Sequence, residues 1–248
     1  MTGMKRALIL FACLLVLGCA PVPPQVVPFD VPPGPMSRPV DVSSARRLDI
    51  TVLTWVCQPG TPDKDGITEV EFKKEPKTVS GGCVVAMVRG EWVYAVTANH
   101  CVPDSTPLGP PIIRVGGREI EVVERSVPHD LAVIRYRAAI GEVNKPCVFA
   151  APVLGERIIG TAWLPWAFNI HNSRVSCHLN PGFVTLIEDG WIGITCPTRN
   201  GCSGNPLYNL AGEVVGIVSR RAAGCDSFGY AADGREAKML LETVPPDK

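Results

Sequence analysis

Glycine and proline punctuate this chain so densely that its apolar stretches stay short: 24 of each are spread over 248 residues, with Val, Ile and Thr recurring between them. Stretches that favour a helix are scarce. β-Branched residues suit a pleated, half-buried surface, and frequent turn residues join such segments into hairpins, so a β-rich chain is expected. With 46% hydrophobic residues, the sequence can supply the core of one large domain or two small ones. Near the end, Arg235 to Val244 reads as a short amphipathic helix.

The N-terminus has a different character. Lys5 and Arg6 precede an apolar run from Ala7 to Leu17, which ends in Val16-Leu17-Gly18-Cys19. That run is shorter than the about 20 apolar residues of a membrane-spanning helix and reads as a signal peptide. Its end resembles a bacterial lipobox, which implies cleavage before Cys19 and a lipid on Cys19; the plainer reading is an ordinary leader with a chance cysteine. The expected organisation is a lipoprotein signal peptide at 1–18, a Pro-rich linker at 19–44 and a folded domain at 45–248. Eight prolines between 21 and 40 make the linker a semi-rigid spacer. The expected location is exported and membrane-anchored, with the membrane as a partner through the lipid. Loss of Lys5 and Arg6 takes the formal charge from 0 to −2, and without a basic run no nucleic-acid partner is expected. Export also means an oxidising compartment, where the even set Cys57, Cys83, Cys101, Cys147, Cys177, Cys196, Cys202 and Cys225 reads as disulfides.

Three segments carry chemistry. Ser80 to Val88 and Glu91 to Ala98 read as strands around the turn Arg89-Gly90, so a hairpin leads into His100. Asp130 follows the turn signal Pro128 and opens an apolar alternating strand from Leu131 to Ile134. Its neighbour His129 would point to the opposite face and is read as a surface or packing residue. Gly201-Cys202-Ser203-Gly204 suits a tight turn in which the amides of Ser203 and of the residue two before it converge on one point. Gly201 leaves its N–H free to turn toward that point, and Gly204 lets the chain pass closely behind. Singly, a histidine is more often structural and an aspartate at a strand start is a turn cap.

Together they resemble a known family. Thr97-Ala98-Asn99-His100-Cys101 is similar to the Thr-Ala-Ala-His-Cys of trypsin-like serine proteases, Asp130-Leu131-Ala132-Val133 resembles their Asp-Leu/Ile-Ala-Leu, and Gly201 to Leu207 is similar to their Gly-Asp-Ser-Gly-Gly-Pro-Leu. The resemblance runs from about residue 50 to 243 and is thin between 140 and 180. It implies an all-β fold of two six-stranded antiparallel β-barrels of the chymotrypsin type, barrel 1 about 45–140 and barrel 2 about 150–240, with a short C-terminal helix outside the second. It also implies a serine endopeptidase acting on protein or peptide substrates without cofactor or metal: His100 as general base, Asp130 orienting it, Ser203 as nucleophile, and the Gly201 and Ser203 amides as oxyanion hole.

By the same resemblance, Pro197, Thr198, Ser219 and Arg220 fall in the substrate pocket. No carboxylate stands at its base, which argues against a simple preference for Arg or Lys. A small or apolar side chain is expected, with Arg199, Arg220 and Arg221 leaving an acidic one open. A Cys83–Cys101 disulfide would pin the general base to the preceding strand. Cys225 aligns with the cysteine that braces the pocket, with Cys196 and Cys202 both open as partners, while Cys57 with Cys147 would leave Cys177 for the remainder.

The sequence departs from the family at Cys202, where the zymogen switch has an Asp, and lacks an Arg/Lys-Ile-Val-Gly-Gly segment, so activity without propeptide cleavage is expected. Cys202 as nucleophile would put Asn200 at the oxyanion position and lose the Gly-x-Ser-Gly-x-Pro frame, so Cys202 is read as half a disulfide or a buried thiol. His171, Cys177 and His178 lack the paired spacing of a zinc site. The alternative function is a catalytically inactive lipoprotein of this fold acting as a binding module. An HtrA-type protease shares the triad order but is ranked low, because the residues after Ser203 are needed for the second barrel and leave none for a PDZ domain.

Overall fold

The computed structural model describes residues 40–62, 68–164 and 176–246. The leader, Cys19, most of the linker, His171 and the side chains of Cys57, Cys177 and His178 lie outside what it describes.

In the first half, β1 (Ala45–Pro62), β2 (Thr68–Arg89), β3 (Trp92–Ala98), β4 (Ile112–Val115), β5 (Arg118–Glu119), β6 (Glu121–Ser126) and β7 (Leu131–Arg137) form one antiparallel sheet. Its order is β5-β4-β1-β2-β3-β7-β6. In the second half, β8 (Arg157–Leu164), β9 (Ser176–Glu188), β10 (Trp191–Ile194), β11 (Pro206–Asn209), β12 (Val214–Ala222) and β13 (Cys225–Asp233) close into a barrel in the order β10-β13-β12-β11-β8-β9. Helix α1 (Gly234–Glu242) follows. The expected pair of six-stranded barrels is therefore realised as one closed barrel and one seven-stranded sheet. The difference lies at Ile120: β5 pairs β4, β6 pairs β7, and the single residue between them breaks what would otherwise be one closing strand.

Strands β2, β3 and β7 each feed two cores. Val93 and Ala95 of β3, with Ala132, Ile134 and Tyr136 of β7, pack with Leu48, Val85 and Cys83. The intervening Tyr94, Val96, Leu131 and Val133 face Tyr208, Val214, Ile217 and Ala232 of the barrel and Ala237 and Leu240 of α1. This is why β7 is buried on both faces and not on one only. Helix α1 starts where the buried Asp233 accepts the Arg235 amide at 2.7 Å, an N-cap that also holds the Arg235 side chain. A third core, including Ile158, Val184, Ile194, Leu207 and Val218, fills the barrel.

Topology places the chemistry. β10 and β11 are consecutive in sequence but not adjacent in the barrel, so residues 195–205 must cross its end, and Ser203 rides on that crossing.

Candidate active site

His100 sits in a single 3-10 turn, Asn99–Cys101, directly after β3. Arg125 of β6 braces that turn from behind, donating to Asn99 Oδ1 at 2.5 Å and to the Val102 carbonyl at 2.7 Å. Asp130 ends the turn before β7 with φ +51, a left-handed conformation that Asp tolerates better than most side chains. From there it grips His100 twice: Oδ2 lies 2.7 Å from the ring Nδ1, and Oδ1 accepts the His100 amide at 2.9 Å. An ionised carboxylate only accepts, so the proton between them belongs to Nδ1, and the neutral ring keeps its lone pair on Nε2.

Ser219 completes the cluster. β12 pairs Val218 with Ala231 and Arg220 with Tyr230, leaving Ser219 as the extra residue of a bulge. Its hydroxyl donates to Asp130 Oδ2, and its carbonyl accepts the Ser203 hydroxyl at 3.2 Å. The sequence marks Ser219 as a pocket residue; its link to Asp130, 89 positions away, has no local signal. Burial pushes the Asp130 carboxyl up, but the hydrogen bonds from the His100 ring, the Ser219 hydroxyl and the His100 amide outweigh it and hold the group below its ordinary value. In turn the Asp130 hydrogen bond, helped by Cys101, raises His100 above the ordinary 6.5.

The Ser203 turn is docked onto β2. Gly82 N donates to the Ser203 carbonyl at 2.8 Å. Asn205 fixes the turn from within, its Nδ2 donating to the Gly201 and Cys202 carbonyls at 2.9 and 3.0 Å. A side chain at Gly82 would overlap Asn205, with a Cβ 2.2 Å from Oδ1. Within the turn the Cys202 amide bonds the Arg199 carbonyl and the Gly204 amide bonds the Val218 carbonyl, whereas among the described residues the Gly201 and Ser203 amides donate to no backbone carbonyl. Gly201 has φ +93, the turned conformation that its lack of a side chain permits.

Among the described residues no disulfide is formed. Cys83 and Cys101 share one core cluster but carry free thiols, so the expected bridge is absent from this structure. Burial pushes Cys83 and Cys196 up to about 12, and it raises Cys202 as well. Cys202 is a buried, free thiol. His129 lies with Nδ1 3.1 Å from Glu236 of α1 and packs on the β9–β10 turn at Gly190, the packing role expected of it.

Beside Ser203 lies a cavity of ≈ 120 Å³ lined by Thr198, Ser219 and Arg220 of the expected pocket residues. Pro197 does not line it: its side chain is exposed, and Thr198 supplies the buried wall.

A family model described as a trypsin-like peptidase domain matches residues 80–217. Among solved structures the chain is similar to the serine endoprotease from Yersinia pestis, at 15% identity and a TM-score of 0.53, over 80% of this chain and 62% of that one. It is also similar to the HtrA-type protease AlgW with decapeptide, at 16% identity and a TM-score of 0.57, over 83% of this chain and 65% of that one. The chain thus spans less than two thirds of either, and at these identities the likeness is one of fold. No curated protein sequence matches it.

Proposed function

The chain belongs to the family of trypsin-like peptidase domains, and from that premise we propose that it is a serine endopeptidase with Ser203 as nucleophile, His100 as general base and Asp130 as the group that orients the base. One observation carries the reading: the Asp130 carboxylate clamps the His100 ring in the tautomer that leaves Nε2 able to accept a proton, and Ser219 joins that carboxylate to the Ser203 hydroxyl. In the reaction Ser203 Oγ leaves the Ser219 carbonyl, passes its proton to His100 Nε2 and attacks the substrate carbonyl; such hydrogen bonds commonly tighten only when substrate is bound. Asp130 stabilises the imidazolium that forms, and His100 then returns the proton to the leaving amine. Water hydrolyses the acyl-enzyme by the reverse sequence.

The uncommitted Gly201 and Ser203 amides support an oxyanion hole already set for the tetrahedral intermediate, and with it activity without propeptide cleavage. Cys202, buried and kept protonated by its surroundings, is unsuited to be the nucleophile. A fluorophosphonate probe should label the full chain, untreated with any protease, on a peptide containing Ser203. Ser203→Ala should abolish the label and His100→Ala should slow it by orders of magnitude. A chain that stays unlabelled while folded would instead be the inactive binding module.

The tether belongs to the same proposal: Cys19 carries a lipid, and the prolines after it hold the domain off a membrane. Metabolic labelling with palmitate should mark the wild type, and Cys19→Ser should lose both the label and the membrane fraction.

A further inference from the structure

The cavity beside Ser203 has walls of opposite character. Val218 gives it an apolar side, while three of its lining residues, Arg199, Arg220 and Arg221, are arginines; among the described residues no carboxylate lines it. At ≈ 120 Å³ it is well below the about 300–1,000 Å³ of clefts that take whole small ligands, so it admits one side chain. Its buried wall is fixed by Thr198, which packs so closely on Gly229 that a Cβ there would stand 2.5 Å from Thr198 Cγ2. Thr198 Oγ1 already donates to the Phe228 carbonyl at 3.4 Å.

Among the described residues neither Arg199 nor Arg220 forms an ion pair. Arg220 follows directly on the Ser219 bulge, and its guanidinium lies 4.7 Å over the Trp191 ring. Stacking spends the flat face of the guanidinium and leaves its N–H edge available, the edge that matches a carboxylate. A cationic side chain in this cavity would meet three arginines and no carboxylate among the described lining residues, whereas an anionic one would meet charge of the opposite sign.

We propose that this cavity receives the side chain on the acyl side of the scissile bond and selects a carboxylate, so that the chain cleaves after Glu or Asp, with Arg220 and Arg199 as the residues that read the charge. This rests on the serine-endopeptidase reading above and narrows its substrate class. The test is a set of fluorogenic peptides differing only at that residue: Glu, Asp, Ala, Val, Leu and Lys. Glu or Asp should give the highest kcat/KM, at least about tenfold above Ala and further above Lys, the scale of one charge pair near a protein surface. Raising the salt from about 0.05 M to about 0.5 M should shrink that advantage. Arg220→Glu should invert the ranking, making the Lys peptide faster than the Glu peptide, and Arg220→Gln should bring Glu and Ala together. Because the ranking and its salt dependence are read on the wild type, the test does not depend on either variant folding. A wild type that the fluorophosphonate labels at Ser203 but that cuts after Ala, Val, Leu or Lys faster than after Glu and Asp overturns the selectivity and leaves the protease reading standing. A folded wild type that is not labelled overturns both.

Discussion

At the scale of single residues, Ser219 serves two partners with two different groups. Its hydroxyl fixes Asp130, which fixes His100, while its carbonyl holds the Ser203 hydroxyl, so the bulge links the proposed base to the proposed nucleophile. The chain His100–Asp130–Ser219 predicts a pH dependence. His100 must be neutral to take a proton, and Asp130 raises its proton affinity, so the loss of kcat/KM on acidification should have its midpoint above the ordinary 6.5. In Asp130→Asn that midpoint should fall back toward 6.5 and the rate should drop about 10⁴-fold, since an amide no longer selects the useful tautomer. A pH–rate profile of both proteins checks it; an unmoved midpoint would separate Asp130 from the base. The same pair gives a stability window. With His100 raised, its contribution is full below 6.5 and is lost as pH climbs through the folded value; with Asp130 lowered, its contribution is present above 3.8 and is lost as pH falls. The denaturation midpoint of the wild type relative to His100→Ala should therefore peak between those limits.

Among the elements, the crossing between β10 and β11 depends most on close backbone approach. Gly204 has φ +77, and a Cβ there would stand 2.2 Å from the Gly82 carbonyl oxygen and 2.3 Å from Thr97 Oγ1. Gly204→Ala should thus cost about 1–3 kcal/mol or more and push the Ser203 turn off β2. Chemical denaturation should show the loss, and probe labelling should fall far more than the folded fraction does. Asn205→Ala, which strips the Gly201 and Cys202 carbonyls of a shared donor, should cost about 1–3 kcal/mol without the overlap. These two positions also show how far the sequence could be read. The demand for a Gly at 204 is local, imposed by a tight turn, and the motif carries it. That Asn205 fits into the space left by Gly82, or that Arg125 braces Asn99, depends on which strands dock against which, and no spacing encodes that. The break at Ile120 was equally hidden, because a strand of two residues followed by one of six leaves the apolar pattern of a single longer strand.

The molecule as a whole is joined by the core between its two halves. Tyr94, Val96, Leu131 and Val133 come from the sheet, Tyr208, Val214, Ile217 and Ala232 from the barrel, and Ala237 and Leu240 from α1, so none of the three parts can bury that face alone. Tyr208 Oη and Ser44 Oγ, 2.8 Å apart and buried, add a polar tie across the same boundary. A core shared between the halves, beside the interior of each, makes them unfold together, unlike two barrels joined by a linker alone. Trp92 on β3 and Trp191 on β10 report on the two halves separately. Variants keeping only one or the other should give coincident denaturation curves. Leu240→Ala, which opens a hole in the part of that core that α1 supplies, should lower stability by about 2–5 kcal/mol and move both curves by the same amount. If only the Trp191 curve moved, α1 would belong to the barrel alone, and the base and the nucleophile would be held together by the loops of the site and not by the core beneath them.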